Sequence, residues 1–135
     1  MSSQADDLGK LVLRVTLGAT VLLHGISKLV NGPSHILGMM DKIGLPTEFG
    51  YLVYVGEVVA PILLIIGLFT IPAALIVIVN MVFAIGLVHM EQLFTLNQSG
   101  GWALELQGMF LFGALAVAFL GAGRYSVGGP YGKWN

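Results

Sequence analysis

The chain has 135 residues, of which 56% are hydrophobic and 10% charged, with a formal net charge of −1 and no cysteine. A water-soluble domain carries about 25% charged residues, and the mean hydropathy here is +0.89, so the composition excludes a soluble globule and points to a polytopic membrane protein. The charge leaves no footprint for nucleic acid. The lack of cysteine removes disulfides, thiolate metal sites and thiol nucleophiles, so any sulfur redox chemistry needs a partner or a cofactor.

The opening "MSSQADDLGK" is polar and acidic, and no small-residue cleavage site follows the first apolar run. That run therefore reads as a retained span rather than a signal peptide. Four segments reach the ~20 residues that a ~30 Å hydrocarbon core requires: 9–30, 48–69, 72–90 and 102–121, followed by a tail, 122–135. The predicted fold is all-α: a single-domain integral membrane four-helix bundle, antiparallel, with a short interfacial helix between spans one and two. That short helix falls in "NGPSHILGMMDKIGLPTEFG", where Ser34 is placed to cap and Ile36, Leu37, Met39, Met40 and Ile43 share one face. Gly44 and Leu45-Pro46 end it. It fits equally a helix lying in the headgroup layer or a plug on the bundle. Only Thr70-Ile71 separates spans two and three, with Pro72 suited to the first turn of the next helix, which forces a hairpin. Trp102 suits an interfacial anchor. The tail "GAGRYSVGGPYGKWN" is turn-rich and reads as either mobile or docked on a partner.

Antiparallel spans fix which helix ends share a leaflet. His24, Lys28, Glu57, His89, Glu105 and Gln107 then fall in the same half of the bilayer, and the other half holds Arg14. Charged groups at mid-span cost about 2.5–3.5 kcal/mol each on insertion scales, so they face the bundle interior and pair. One polar pocket open toward one leaflet is the economical arrangement.

Glu57 is its sharpest member. Pro61, four residues on, cannot donate the helical hydrogen bond to the Glu57 carbonyl, and Gly56 permits close backbone approach. The structural reading has Glu57 pairing with Lys28 to hold two helices together. The functional reading gives it a ligand or a proton. His24 and Lys28 lie on one face at i, i+4, where two like charges repel. A neutral imidazole donates and accepts at once, which suits a quinone carbonyl, a proton relay or a metal, whereas a hydrogen bond to a neighbouring helix is the plainer role. Lys28 also suits a snorkelling anchor. A bis-histidine haem b on His24 and His89 is geometrically open, although His89 at a helix end more commonly meets the interface. No spaced His/Glu set resembles a metal motif. Arg14, Gly18, Gly25 and Lys28 lie along one stripe of span one; the glycines allow close packing. Arg14 reads as a structural clamp on Asp6, Asp7 or carbonyls at the close of span four. Asn80, near mid-span in the third helix, reads as an interhelical hydrogen-bond donor.

Taken together, "LVLRVTLGATVLLHGISKL", "GLPTEFGYLVYVGEVVAPILLIIGLFT" and "GAGRYSV" resemble the DoxX family of small four-helix bacterial and archaeal membrane proteins. The carrying residues are Arg14 with Gly18, His24-Gly25 with Lys28, Gly56-Glu57, Gly67-Leu68-Phe69 and Gly121 to Ser126. The closing "VGGPYGKWN" departs from the usual family continuation. The resemblance implies a prokaryotic cytoplasmic (inner) membrane location and a quinone-linked redox association, carried onto Arg14, His24, Lys28 and Glu57. Named members include the small subunit of a thiosulfate:quinone oxidoreductase and a component of oxidative-stress complexes with a sulfurtransferase and a superoxide dismutase. Lys10, Arg124 and Lys133 against Lys28 and Lys42 tilt the positive-inside count toward cytoplasmic termini.

These lines converge on an accessory membrane subunit of a quinone-linked oxidoreductase or respiratory-chain complex. In it His24 hydrogen-bonds a quinone carbonyl, Lys28 balances charge and Glu57 relays protons, with His89 and Glu105 completing the pocket. The rivals are a non-catalytic scaffold recruiting a partner enzyme and, behind it, a small-molecule carrier acting as a homo-oligomer.

Overall fold

The structure, a computed structural model, describes residues 3–135. Among these the fold is helical, relieved by a lone β-bridge between Leu96 and Trp102. Helix α1 spans Gln4–Asn31, α2 Ser34–Lys42, α3 Thr47–Ile66, α4 Thr70–Val88 and α5 Glu105–Leu120. Helices α1, α3 and α4 are long and apolar enough to cross a membrane, and α5 is a shorter apolar helix of 16 residues.

The start of α1 is written locally. Ser3 accepts from the Asp6 N–H and the Asp6 carboxylate accepts from the Ser3 N–H, a reciprocal cap that satisfies two orphan donors. For α2 the cap differs from the expectation. Pro33 takes the N-cap position and Ser34 is the first helical residue, with no side-chain cap, because Pro33 already holds a helical backbone. Ile36 and Met40 are buried and pack where α3 begins, over Gly50.

The α3–α4 hairpin turns earlier than Thr70-Ile71. Gly67 adopts the left-handed conformation at φ +75°, its N–H and that of Leu68 both donate to the Leu63 carbonyl, and Phe69 follows at φ +48°. This closes α3 with the left-handed motif that glycine makes cheap. Thr70 and Ile71 therefore belong to α4. At its other end α5 starts at Glu105 rather than Trp102, because Trp102 is held in the preceding turn by its indole N–H on the Leu93 carbonyl and by the bridge to Leu96.

The core is shared by four helices: Leu17 and Val21 of α1, Leu64 of α3, Val77 of α4, and Phe110 and Val117 of α5. Gly25 meets Glu57 while Gly18 meets Pro61, so α1 and α3 run in opposite directions where they touch. His24 meets Phe110 while Arg14 meets Ala122, and α1 runs against α5 in the same sense. The outward faces carry Val79, Phe83, Met109, Phe112 and Phe119, all more than half exposed. In water such a surface would aggregate; against lipid chains it is the expected exterior.

The tail folds back on its own chain. Asn135 accepts from the Thr70 N–H and hydroxyl through Oδ1 and donates to the Gly129 carbonyl. Trp134 accepts from the Ile71 N–H, and Asn135 accepts from the Ala122 N–H. The first N–H groups of a helix lack intrahelical partners, and the tail supplies them to α4. Of the two expectations for the tail, the mobile one is set aside by these hydrogen bonds, while its outer side stays open to a partner.

Candidate functional site

Glu57 is 4% exposed. It lies in a π-turn, Val55–Val59, where the Ala60 N–H donates to the Val55 carbonyl. Proline at 61 removes the donor that regular α-helix would need, and the wider turn absorbs the mismatch, as π-bulges often do at functional positions. One carboxylate oxygen, Oε2, accepts from Lys28 Nζ at 2.5 Å and from Asn80 Nδ2 at 3.3 Å. No described donor reaches Oε1. Three helices thus converge on one carboxylate.

The glycines make this approach possible. A Cβ on Gly25 would fall 2.0 Å from the Glu57 carbonyl oxygen, and one on Gly56 would fall 2.7 Å from the Asn80 side chain. Gly25→Ala is expected to cost about 1–3 kcal/mol through backbone overpacking. Gly86→Ala, at a helical position with nothing within 4 Å, is expected to be neutral or to gain up to ~1 kcal/mol from helix propensity. Unfolding titrations of both variants in mild detergent check the contrast.

Lys28 and Glu57 differ in exposure, with side chains 38% and 5% accessible. The ammonium edge of the pair is open and the carboxylate edge is enclosed. Tyr54, one turn before Glu57, donates its hydroxyl to the Lys28 carbonyl at 3.3 Å. Sequence reasoning passed over Tyr54, although its i, i+3 spacing from Glu57 is a usable signal.

None of the other candidates makes a described contact with Glu57. His24 is exposed and meets Phe110 edge-on, ring centroids 5.5 Å apart. His89 is half-buried at the C-cap of α4, and no described contact joins it to His24 or Glu57. Glu105 is exposed and takes a hydrogen bond from Asn97 Nδ2 at 3.4 Å, so it closes the turn before α5. Arg14 is 1% exposed; it donates to the Ala122 carbonyl and, at 2.7 Å, to the Tyr125 carbonyl. Of the partners considered for it, the carbonyls beyond α5 take the hydrogen bonds. Asp7 instead accepts from the Arg124 N–H.

Residues 9–90, more than half of the chain and everything from the early turns of α1 to the end of α4, match the model of the DoxX family. The chain belongs to the DoxX family. An uncharacterised protein of Haemophilus influenzae (strain ATCC 51907 / DSM 11121 / KW20 / Rd) is 32% identical over 125 residues, covering 90% of this chain and 89% of that protein. No solved structure matches the chain. The DoxX match includes Arg14, His24, Lys28, Glu57 and Asn80 and ends before α5 and the tail. With its apolar helices, this makes the chain an integral membrane protein in contact with the lipid bilayer.

Chemically, the cluster offers a half-open ammonium donor, a phenol one turn away, and a carboxylate with one oxygen committed and one uncommitted. Such a set can donate to a carbonyl, accept from a hydroxyl and move a proton between them.

Proposed function

We infer that this DoxX-family protein is a membrane subunit of a quinone-linked redox complex, with the Lys28–Glu57 site receiving a quinone headgroup. The observation that carries this reading is Glu57 itself: a carboxylate buried inside a span, with both described donors on Oε2 and none on Oε1. Intramembrane charges are functional by default because lipid makes them costly. A quinone bound there would supply two-electron, two-proton redox chemistry, with the electrons coming from a redox partner subunit. Lys28, accessible at its ammonium, hydrogen-bonds a carbonyl and balances developing negative charge. Glu57 Oε1 accepts from a hydroxyl and holds the proton in transit. His24, exposed one turn from Lys28, is the second hydrogen-bonding group on the headgroup's path.

In this reading α5 crosses as the fourth span of an antiparallel bundle. Its 16 residues rise about 24 Å, and the turn from Trp102 to Leu104 and the tail's first residues make up the remaining thickness. Helix α2 lies at the interface. The termini face the cytoplasm, since Lys10, Arg124 and Lys133 lie toward their end against Lys28 and Lys42 toward the other.

A second reading, a scaffold for a partner enzyme, draws on the ordered tail, which presents Val127 and Tyr131 at 72% and 96% exposure. One experiment weighs the two: mild-detergent purification, followed by extraction of bound quinone and identification of retained proteins. Glu57→Gln and His24→Ala are expected to lower quinone retention by about tenfold, the loss of ~1.4 kcal/mol of binding, with partner proteins unchanged. Undiminished quinone retention in both variants overturns the quinone site. Loss of partner on Tyr131→Ser instead favours the scaffold.

A further inference from the structure

The opposite end of the molecule from Glu57 carries a second feature. An open cleft of about 390 Å³ lies between the first turns of α1 and the end of α5, walled by Asp6, Gly9, Lys10 and Leu120. It adjoins another of about 230 Å³ that shares Lys10 and Leu120 and adds Phe119. Asp6 and Lys10 are one helical turn apart, the spacing of an intrahelical ion pair. They are not paired, for the ion pair found among the described residues is Lys28–Glu57. Gly9 sits between them with nothing within 4 Å of where its Cβ would be, which leaves the floor open. The apolar wall faces outward: Phe119 and Leu120 are 83% and 50% exposed.

Depth narrows the occupant. After Lys10 the next charge in α1, Arg14, is buried, and α5 ends at Leu120 with Arg124 the next charge. The cleft therefore lies where lipid phosphates meet acyl chains. A lysine at this depth attracts lipid phosphate, and here a single carboxylate accompanies it. The two charges select the class. A phosphate seated on Lys10 lies beside the Asp6 carboxylate, which disfavours a headgroup with no cation of its own. Choline supplies a cation but no N–H. An ethanolamine ammonium supplies both, and the Asp6 carboxylate, whose Oδ2 takes the Ser3 N–H, has Oδ1 to accept from it.

We propose that this cleft is a headgroup site for an ethanolamine phospholipid, with phosphate on Lys10, ammonium on Asp6 and acyl chain along Phe119 and Leu120. The site is independent of whatever occupies the Lys28–Glu57 cluster.

Native mass spectrometry of the full chain in detergent tests it, with ethanolamine, choline and glycerol phospholipids of identical acyl chains. The ethanolamine lipid is expected to be retained about fivefold over each of the others, the net worth of one hydrogen bond from its ammonium. Asp6→Asn, which keeps an oxygen for the Ser3 cap, is expected to erase the preference over choline. Lys10→Ala is expected to lower retention of all three. Equal retention of ethanolamine and choline lipids by the unaltered protein overturns the proposal, as does an undiminished preference in Asp6→Asn. Soluble phosphoethanolamine is expected to leave the lipid in place; its displacing the lipid at matched concentration would assign the cleft to a soluble headgroup and overturn the lipid site.

Discussion

Lys28→Met is expected to destabilise the protein by about 2–3 kcal/mol, and Glu57→Gln by only about 1 kcal/mol. Removing one partner of a buried pair leaves an uncompensated charge, which costs about 3–5 kcal/mol when both partners are fully enclosed. Here the enclosure is one-sided. Glu57 is 5% accessible and, without Lys28, keeps a single neutral donor, Asn80 Nδ2. Lys28 is 38% accessible, so without Glu57 its ammonium can swing to the interface on its flexible stem. With one partner half-open, the first loss falls at or just below the foot of the buried-pair range, and the second takes the cost of an exposed pair. The double variant Lys28→Met with Glu57→Gln is expected to recover most of the first loss, because no charge is then left in the apolar interior. Unfolding titrations of the three variants in detergent measure this. Equal costs for the two single variants would show that Glu57 is reached by water or by another cation.

The second large effect is at Arg14. Its guanidinium ties the Ala122 and Tyr125 carbonyls, just past α5, to the middle of α1. Hydrogen bonds to charged groups contribute about 1.5–3 kcal/mol each. Against this stands the cost of holding the guanidinium 1% exposed with Nε unmet among the described residues. The hydrogen bonds outweigh it because two backbone carbonyls would otherwise be stranded. Arg14→Met is expected to cost about 2–4 kcal/mol and to release the tail. Arg14→Lys, a point donor in place of a fork, retains one carbonyl and falls between. Release has its own readout: limited tryptic cleavage after Arg124, slow in the native protein, accelerates in proportion to local opening. Cleavage unchanged in Arg14→Met would show that Asn135 alone holds the tail.

The residues differ in how far they could be read in advance. The membrane class, the helices and the close approach at Gly25 follow from composition and from small residues in an apolar run, which are local properties. Glu57 stands out for a local reason too, a carboxylate four residues before a proline. Tyr54 was missed since a tyrosine near a helix start looks like an interfacial anchor until its hydroxyl is seen on the Lys28 carbonyl. His24 and Glu57 share a leaflet on paper, yet His24 turns toward Phe110 while Gly25 presses on Glu57. Adjacent helical residues point about 100° apart, so depth alone cannot say which neighbour each one meets.

The tail shows the limit most sharply. Thr70 and Asn135 are 65 positions apart, and nothing in "VGGPYGKWN" announces a cap for a helix begun in the middle of the chain. By itself, the sequence determined that this protein is helical, dissolved in lipid and burdened with a few ionisable groups that must find shelter. Hydrophobicity and helical period are carried residue by residue. Only the tertiary structure decided who shelters whom: Lys28 and Asn80 with Glu57, the carbonyls beyond α5 with Arg14, and Asn135 with the bare start of α4. Partner choice depends on which helix faces meet, and that is settled by packing the whole chain at once.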